Sequence, residues 1–464
     1  MFSNNNRYPI APTVSPSLWL SQLEGPSADR EPLDRDLDVD VVIVGAGFTG
    51  LWSAYYLLCS DPSLRVAVLE ADTVGFGASG RNGGWVSALW PVEIADVSER
   101  QGSDVARRLQ GALNATVDEV ERVVSAENID CGFVKGGSLM LAESPLHVEI
   151  LERTRCAQTE LGFGADEHEW LSPTGLKQRL AAPTAVGALF SRACARVQPA
   201  CLAAGLARVV EERGGQIFEH SPVTSVVPGA VTAAGRSVRS EVVLLATEAY
   251  SPSIEVARRH VAPVWSRMIA TEPLSAAIWE ELGWENRETL GGARLAIFHA
   301  QRTTDDRIAF GGLGGSYRFG SKTSELAPDS RVTTRLHNCL RTLLPAIGDA
   351  QITHTWGGPV GIPRSREPFV YFDRASRIAA AGGYMGDGVP LANLAGRSLA
   401  DLVLGRESEL LELPWVAEPP RDWEREPLRF IGINAGRALF SSIDRAEQRT
   451  GQPARVRRAA LKRF

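Results

Sequence analysis

The most informative segment of the chain is a glycine-rich turn between positions 75 and 85. Five of its eleven residues are glycine, and they surround Arg81 and Asn82. A backbone without side chains can approach a ligand closely and can adopt conformations that other residues avoid. The arginine and the asparagine add hydrogen-bond donors. The segment therefore predicts a large ligand that is held mainly by backbone atoms.

An earlier glycine turn indicates what kind of ligand this is. A strand-like run of valine and isoleucine leads into Gly45, Gly47 and Gly50 at G-x-G-x-x-G spacing, and a helix-like run follows. This order directs free amide groups and the positive end of a helix at a pyrophosphate. Glu70 ends the next predicted strand, 20 positions after Gly50 (70 − 50 = 20), where a carboxylate accepts hydrogen bonds from ribose hydroxyls. Together with the turn at 75–85, this motif predicts a flavin dinucleotide rather than a nicotinamide cofactor.

Composition argues against several other classes of function. The 464 residues carry a net charge of −6, which gives no electrostatic reason to expect nucleic acid as a partner. The six cysteines form no C-x-x-C pair, and the seven histidines lack the spacing of a metal site. No apolar run is long enough for a membrane helix, and Met1 to Arg7 does not resemble a signal peptide. We therefore expect a cytoplasmic protein without a metal and without integral membrane association.

The order of predicted elements indicates an α+β or α/β protein in which one domain is discontinuous. A Rossmann-like domain of the two-dinucleotide-binding type is expected to combine three segments: 38–95, 196–255 and 350–410. Longer alternating strands predict a substrate domain with an inserted antiparallel sheet, built from two segments: 96–195 and 256–349. Residues 1–37 are expected to form an arm on the surface, and residues 411–464 a helical tail.

A third glycine cluster precedes a predicted helix near position 390. Asp387 is a candidate N-cap, and Pro390 fits the first turn of the helix. The positive end of the helix would favour the N1/C2=O edge of a flavin, which becomes anionic on reduction. An equally good interpretation of this segment alone is a well-capped helix with no ligand.

Together these segments resemble the FAD-dependent oxidoreductases of the D-amino-acid oxidase, glycine oxidase and sarcosine oxidase superfamily. Within it, the segment 77–84 looks most like that of gamma-glutamylputrescine oxidase-like enzymes. Further matches are Gln198–Pro199, the segment 270–274, Trp356 to Pro359 and the Gly383–Tyr384 turn. The resemblance covers about positions 18 to 405.

The resemblance implies FAD bound in an extended form by residues of all three turns. The first turn would hold the pyrophosphate, Glu70 the ribose, and Val223 the adenine through its backbone, while Gly83–Gly84 would leave an open edge near N5. The residues implied to contact FAD are Gly45, Gly47, Phe48, Thr49, Gly50, Glu70, Ala71, Ala78, Ser79, Arg81, Asn82, Gly83, Gly84, Val223, Thr247, Gly383, Tyr384, Met385, Gly386, Asp387, Gly388 and Val389.

Two departures from the family pattern refine this expectation. Many relatives have His at the position of Asp387, and a carboxylate beside N1 would oppose an anionic reduced flavin. We therefore expect Asp387 to point into its own helix as a cap. Members with covalent FAD attach it through a Cys before a final strand or a His near the second turn, and the segments 361–368 and 75–85 contain neither. We therefore expect non-covalent FAD.

The resemblance also implies the reaction, which is hydride loss from a carbon next to nitrogen, followed by hydrolysis of the imine. An apolar site lined by aromatic side chains would favour the free amine that this reaction needs. The candidates for that lining are Trp265, Tyr317, Trp356 and Tyr384, for which core packing is an equal alternative except at Tyr384. Arg318 and Arg364 are candidates to bind a substrate carboxylate. His299 is interpreted as a strand histidine with satisfied hydrogen bonds.

Three functions stay open from the sequence. The first is an amine or amino-acid oxidase that uses oxygen. The second is a dehydrogenase of the same fold that acts on an amine or a 2-hydroxy acid and uses another electron acceptor. The third is a flavin-bound partner protein without turnover. Sarcosine-oxidase-like members use a Lys on the substrate sheet to activate oxygen, and positions 291–321 contain no Lys, so the acceptor is left open.

Overall fold

Two large β-sheets organise the chain, as seen in a computed structural model that describes residues 17–23, 30–325 and 329–461. The α-helices are α1 Leu18–Ser21, α2 Phe48–Ser60, α3 Ile94–Gln101, α4 Ser103–Ala126, α5 Pro145–Glu160, α6 Pro173–Lys177, α7 Pro199–Glu212, α8 Ala276–Leu282, α9 Ser330–Leu343, α10 Gly388–Leu404, α11 Leu428–Thr450 and α12 Arg455–Leu461. The strands are β1 Leu37–Val44, β2 Val66–Leu69, β3 Trp85–Ser87, β4 Ser138–Ala142, β5 His168–Leu171, β6 Gly187–Ser191, β7 Cys194–Arg196, β8 Gln216–Phe218, β9 Val223–Val227, β10 Ala230–Ala233, β11 Arg236–Leu245, β12 Val261–Thr271, β13 Thr289–Gly292, β14 Phe298–Arg302, β15 Ile308–Gly312, β16 Ser316–Tyr317, β17 Ile352–Pro363, β18 Phe369–Asp373 and β19 Ile378–Gly382.

The first sheet carries the strands that precede the glycine turns. Its order is β18-β19-β11-β1-β2-β8, and the pairs from β19 to β8 are parallel while β18 is antiparallel. The end of β1 and all of β2 are buried, as expected for strands covered on both faces. Since ligands of such sheets bind beyond the carboxyl ends of the strands, the turns after β1, β2, β11 and β19 meet at one edge.

The second sheet is mainly antiparallel and faces that edge. Its order is β16-β12-β15-β14-β13-β4-β6-β5, with β17 also paired to β12, and only β13 and β4 run parallel. One of its faces packs with α8 and α9 in an apolar cluster that includes Ile269, Phe310 and Leu340. The fold class predicted from the sequence, a Rossmann-like FAD domain with an inserted antiparallel sheet, is confirmed. The predicted segment 350–410 contains strands of both sheets, and the division into domains stays a prediction.

The described part of the N-terminal arm differs from the expectation. Leu18 and Trp19 are each only 1% exposed, and Trp19 packs edge-on against Trp356 with ring centroids 6.1 Å apart. The segment 17–23 is therefore not a surface arm but part of an apolar cluster, because its two large apolar side chains fill the space between α7 and the second sheet. Residues 1–16 and 24–29 of the predicted arm lie outside the described residues.

Other local expectations were close to the observed elements. From the sequence alone, apolar periodicity predicts helices at 105–126 and 427–449, and both are present, as α4 and α11. The apolar pair at 133–134 predicts a strand, but only an isolated bridge between Val134 and Arg196 forms there. The alternation at 294–299 predicts another strand, which lies a few residues later, as β14. This shift matters for function because it decides which side chains of β14 face the glycine turns.

The contact between α2 and α10 depends on a glycine. A Cβ atom on Gly396 would lie 2.7 Å from the Cβ of Trp52, so Gly396→Ala is expected to destabilise the protein by about 1–3 kcal/mol through overpacking. Gly432 lies inside α11 with nothing within 4 Å of such an atom, and Gly432→Ala should be neutral or stabilising by up to about 1 kcal/mol. Thermal denaturation of both variants checks this. Equal Tm values for the two would contradict the packing argument.

Candidate functional site

The first glycine turn connects β1 to α2 and presents amide groups to the cleft between the two sheets. A Cβ atom on Gly50 would lie 2.0 Å from the Gly45 carbonyl oxygen, so only glycine lets the helix start this close to the strand. The amides of Gly47, Thr49 and Gly50 have no hydrogen-bond acceptor among the described residues. These donors and the start of a helix of 13 residues form a site for a pyrophosphate.

Glu70 lies directly after β2, where the sequence placed the ribose contact, and Ala71 follows it. The Glu70 carboxylate accepts hydrogen bonds from the amides of Ala46, at 2.8 Å, and Asp72, at 3.0 Å. Burial raises the pKa of this carboxyl despite those bonds. The amide of Ser221 donates to the Glu70 carbonyl at 2.7 Å, which brings the start of β9, and with it Val223, to the same edge.

The second glycine turn is held by its carbonyl groups. Five consecutive carbonyls, from residue 80 to residue 84, each accept a hydrogen bond from a different donor on a distant segment. The donors, in order, are the Ser17 hydroxyl, the Trp356 indole at 2.9 Å, the Trp19 indole at 2.8 Å, the Gln301 amide at 2.7 Å and the Val197 backbone amide at 2.8 Å. The turn is thereby fixed to α1, β14, β17 and the segment before α7.

The opposite edge of the second turn is open. The backbone amides of Asn82 and Gly83 have no acceptor among the described residues. The side chains of this turn are occupied: Asn82 donates to the carbonyls of Ala78 and Ser79, and Arg81 donates to those of Phe76 and Gly357. The turn therefore offers backbone donors to a ligand, while its polar side chains hold its own conformation.

Gly83 and Gly84 are glycines because two side chains of β14 occupy the space beside them. A Cβ atom on Gly83 would lie 2.6 Å from Cδ2 of His299, and one on Gly84 would lie 2.0 Å from Nε2 of Gln301. The sequence predicted that this backbone approaches something large. The observed neighbour on this side is the second sheet of the same chain.

Two further contacts join the turns to each other. The Ser79 hydroxyl accepts a hydrogen bond from the amide of Phe48 at 2.8 Å, which ties the second turn to the first. The hydroxyls of Tyr384 and Thr49 lie 2.9 Å apart, which ties the third turn to the first. Thr247, after β11, is bonded to Ser251 through the two hydroxyls at 2.8 Å.

A buried carboxylate that sequence analysis missed organises the third turn. Glu248 follows β11 and accepts hydrogen bonds from the amides of Gly361 at 2.8 Å, Gly383 at 3.0 Å and Tyr384 at 3.3 Å. Its φ of 41° lies in the left-handed region, which costs free energy for a residue other than glycine. Burial raises the pKa of this carboxyl, against the effect of the three amides. An acidic residue three positions after the end of a buried strand was the available sequence signal.

The expectation for Asp387 is wrong in one respect. Asp387 occupies the N-cap position of α10, as predicted, but its side chain makes no capping hydrogen bond. Burial raises the pKa of this carboxyl to about 6. Its φ of −90° and ψ of 30° are not the extended values typical of a capping residue, which explains why the carboxylate does not reach the helix amides. The remaining predicted residues of this turn, Met385, Gly386, Gly388 and Val389, lie between β19 and the first turn of α10.

The side chains predicted to bind substrate have partners within the protein. Trp356 donates to the second turn, as described above, and Tyr384 is buried against Thr49. Tyr317 donates to Glu426 at 2.6 Å, which is part of the segment before α11. Arg318 donates to the carbonyl of Ser324 at 2.7 Å. Arg364 is paired with Glu424 at 3.0 Å. Each of these five side chains is thus engaged within the protein, and their roles stay predictions.

His299 differs from its sequence interpretation as a satisfied strand histidine. Neither of its ring nitrogens has a hydrogen-bond partner among the described residues, and the residue is partly exposed. It lies against Gly83 and forms an edge contact with the Trp85 ring, at 6.4 Å between centroids. The strand was predicted, but the orientation of this side chain depends on strand register, which the sequence did not reveal.

The residues that the structure describes include no group of His, Cys, Asp or Glu side chains that could hold a metal ion. They also include no helix with both the length and the apolar character needed to cross a lipid bilayer.

Comparison with known proteins decides the family. A family model described as FAD dependent oxidoreductase matches residues 40–402. The chain belongs to the FAD-dependent oxidoreductases. This oxidoreductase is 30% identical over 389 residues to a probable oxidoreductase OrdL of Haemophilus influenzae, covering 82% of the chain and 86% of that relative. It is 29% identical over 428 residues to the gamma-glutamylputrescine oxidoreductase of Escherichia coli, covering 90% of the chain and 96% of that relative.

Solved structures support the fold of this oxidoreductase. The glycine oxidase of Geobacillus kaustophilus superposes with a TM-score of 0.66 at 21% identity, covering 82% of the chain and 98% of that structure. The L-proline dehydrogenase of P. horikoshii superposes with a TM-score of 0.68 at 17% identity, covering 81% and 96%. At these identities the likeness shows the fold alone.

The residues of this oxidoreductase fit the cofactor of its family. The unpaired amides of the first turn suit a pyrophosphate, and the carboxylate of Glu70 stands where a ribose would need an acceptor. The unpaired amides of Asn82 and Gly83 suit the acceptor atoms along the edge of a flavin ring. The first and second turns and Glu70 therefore offer groups that could hold FAD, and the contacts of individual residues with it stay predictions.

The role of Glu248 can be tested through FAD affinity. In Glu248→Gln an amide group would replace one acceptor oxygen and would face a backbone N–H, so the third turn should lose its position. Since an unsatisfied buried donor costs about 1–3 kcal/mol, we expect FAD to bind on the order of tenfold to a hundredfold more weakly. Titration of the apoprotein with FAD, followed by flavin fluorescence, measures the Kd. Glu255→Gln, at an exposed carboxylate nearby, is the matched control. An unchanged Kd for Glu248→Gln would contradict this role.

Proposed function

We propose that this oxidoreductase oxidises a C–N bond of an amine or amino acid with oxygen as the electron acceptor. A hydride leaves the carbon next to nitrogen while the nitrogen loses a proton. Water then hydrolyses the resulting imine to a carbonyl compound and an amine. Oxygen finally receives the two electrons and both hydrogen nuclei, that of the hydride and the proton from nitrogen, and becomes hydrogen peroxide. The FAD that the family binds supplies the intermediate acceptor of the two electrons.

The observation that carries the proposal is the uncharged surface of the second sheet opposite the second turn. One row across this sheet consists of Gly291, His299, Gly311, Met268 and Trp356, which are directly paired on neighbouring strands. Burial lowers the pKa of His299 to about 4, so its imidazole is neutral at physiological pH. Met268 and Trp356 of this row are buried against Leu18 and Trp19, whereas His299 is partly exposed beside the second turn. Uncharged surroundings of this kind disfavour an ammonium ion and favour the free amine, whose lone pair the reaction requires.

The relatives support an amine or amino-acid substrate class. The matched proteins include a gamma-glutamylputrescine oxidoreductase and a glycine oxidase of Bacillus licheniformis, the latter 24% identical over 375 residues. Oxidation next to an amino nitrogen is common to the reactions that these two names describe. We do not infer the substrate of this protein from either relative. Substrate choice depends on the polar groups around the uncharged row, and those groups are particular to this chain.

The mode of FAD attachment follows from the residues near the second and third turns. We propose that FAD is held without a covalent bond, since the segment 361–368 has no Cys and the segment 75–85 has no His. The hydrogen bonds of the three turns would then supply the binding free energy. Thr49, Ser79, Glu70 and Glu248 connect those turns and therefore support the same site.

An anaerobic reduction experiment tests the proposed function. The FAD-loaded protein is mixed without oxygen with a panel of primary and secondary amines, amino acids and 2-hydroxy acids, and the flavin absorbance is followed. We expect at least one amine or amino acid to bleach the flavin, and admission of air to restore the colour within seconds while peroxide forms.

Each alternative outcome identifies a different function. Bleaching by an amine or a 2-hydroxy acid with slow recovery in air would contradict the use of oxygen and would indicate a dehydrogenase with another acceptor. Bleaching by 2-hydroxy acids alone would contradict C–N oxidation. The absence of bleaching across the whole panel would contradict turnover and would favour a flavin-bound partner protein.

A further inference from the structure

His299 is held in one orientation by the residues around its ring. A Cβ atom on Gly83 would lie 2.6 Å from its Cδ2, and one on Gly311 would lie 2.6 Å from its Nε2. The imidazole therefore lies between the second glycine turn and strand β15. The ring of Trp85 meets it nearly perpendicularly, at an interplanar angle of 85°. Only small residues at 83 and 311 leave room for this arrangement.

The neighbours of His299 provide no hydrogen-bond partner. Across the sheet it is paired with Gly291 on one side and Gly311 on the other, neither of which has a side chain. Met268, beyond Gly311 in the same row, is apolar. A ring nitrogen that is not fully buried and lacks a protein partner is available to a molecule in the cleft.

Gln301 lies two residues further along β14, on the same face as His299, and its side chain has a structural role. It is 0% exposed, and its amide nitrogen donates to the carbonyls of Gly83 at 2.7 Å and Val197 at 3.1 Å. Gln301 thus holds the second turn in place. His299 lies against the same turn but makes no such bond. Holding the turn in place therefore does not explain why a polar side chain occupies position 299.

We propose that His299 is the residue of this chain that binds the reacting nitrogen of the substrate, by accepting a hydrogen bond from its N–H with a neutral ring nitrogen. The inference rests on the proposed function. It adds a specificity-determining contact, because the neutral imidazole selects the uncharged amine. No charged side chain contributes to the lowered pKa of His299, which burial alone explains.

The experiment uses the amine that reduces the flavin fastest in the anaerobic screen. Its Kd is measured by anaerobic calorimetry on the dithionite-reduced holoenzyme, which cannot turn over, and its rate of flavin reduction is measured separately on the oxidised holoenzyme.

Three variants of His299 are compared. His299→Phe keeps a ring between the two glycines, His299→Leu serves in case the first does not fold, and His299→Gln keeps a hydrogen-bond acceptor. His354→Gln is the control, since His354 lies on β17 of the same sheet and is bonded to Thr353 and Ser21.

We expect His299→Phe and His299→Leu to raise the Kd of the amine at least tenfold and to slow flavin reduction on the order of a hundredfold. His299→Gln should stay within about tenfold of the unmodified protein in rate, since a hydrogen-bond acceptor is retained. FAD affinity should be unchanged in all variants, and His354→Gln should behave as the unmodified protein. The partial rescue by Gln separates amine binding from a loss of structure.

Other outcomes overturn the inference. An unchanged Kd and rate in His299→Phe would show that His299 does not bind the substrate, while the proposed function would stand. A loss of FAD affinity in both Phe and Leu variants would make His299 a support for the cofactor instead. If no amine or amino acid reduces the flavin of the unmodified protein, the proposed function itself fails, and the inference fails with it.

Discussion

The site depends on the attachment of the second glycine turn to the rest of the protein through five consecutive backbone carbonyls. Each carbonyl has a different donor, from the side chains of Ser17, Trp356, Trp19 and Gln301 and from the amide of Val197. The carbonyl oxygens on one side of this turn are all hydrogen-bonded. On its other side, the backbone amides of Asn82 and Gly83 have no acceptor among the described residues. One constraint therefore ties the turn to the second sheet, buries α1 and leaves two backbone donors unpaired at the edge where we propose that the flavin binds.

The three turns form one unit because polar contacts link them away from the cleft. Ser79 joins the second turn to the first, Tyr384 joins the third turn to the first, and Glu248 joins the third turn to β17. Buried polar groups are costly unless they are paired, so each link is stable only while its partners keep their positions. The positions of the three turns are thereby coupled. The same argument explains why a carboxylate as buried as that of Glu248 is tolerated.

Much of this arrangement could be predicted from local sequence, and the rest could not for identifiable reasons. The turn at Gly45, the acid at Glu70 and the strand–turn–helix order follow from spacing within about 30 residues. The reason for Gly83 and Gly84 does not, because their neighbours His299 and Gln301 are more than 200 positions away. The same limit applies to Arg364, whose partner Glu424 belongs to the C-terminal segment. The orientation of His299 depended on register, and that of Asp387 on backbone angles at the N-cap.

The most direct test of this account is a crystal structure of the protein with FAD bound, at a resolution that defines the flavin ring. The account expects the ring edge to accept hydrogen bonds from the amides of Asn82 and Gly83, with the imidazole of His299 facing the open side of the ring. It would be contradicted by a flavin ring placed away from the second turn, or by a His299 ring that forms a hydrogen bond within the protein and leaves the cleft.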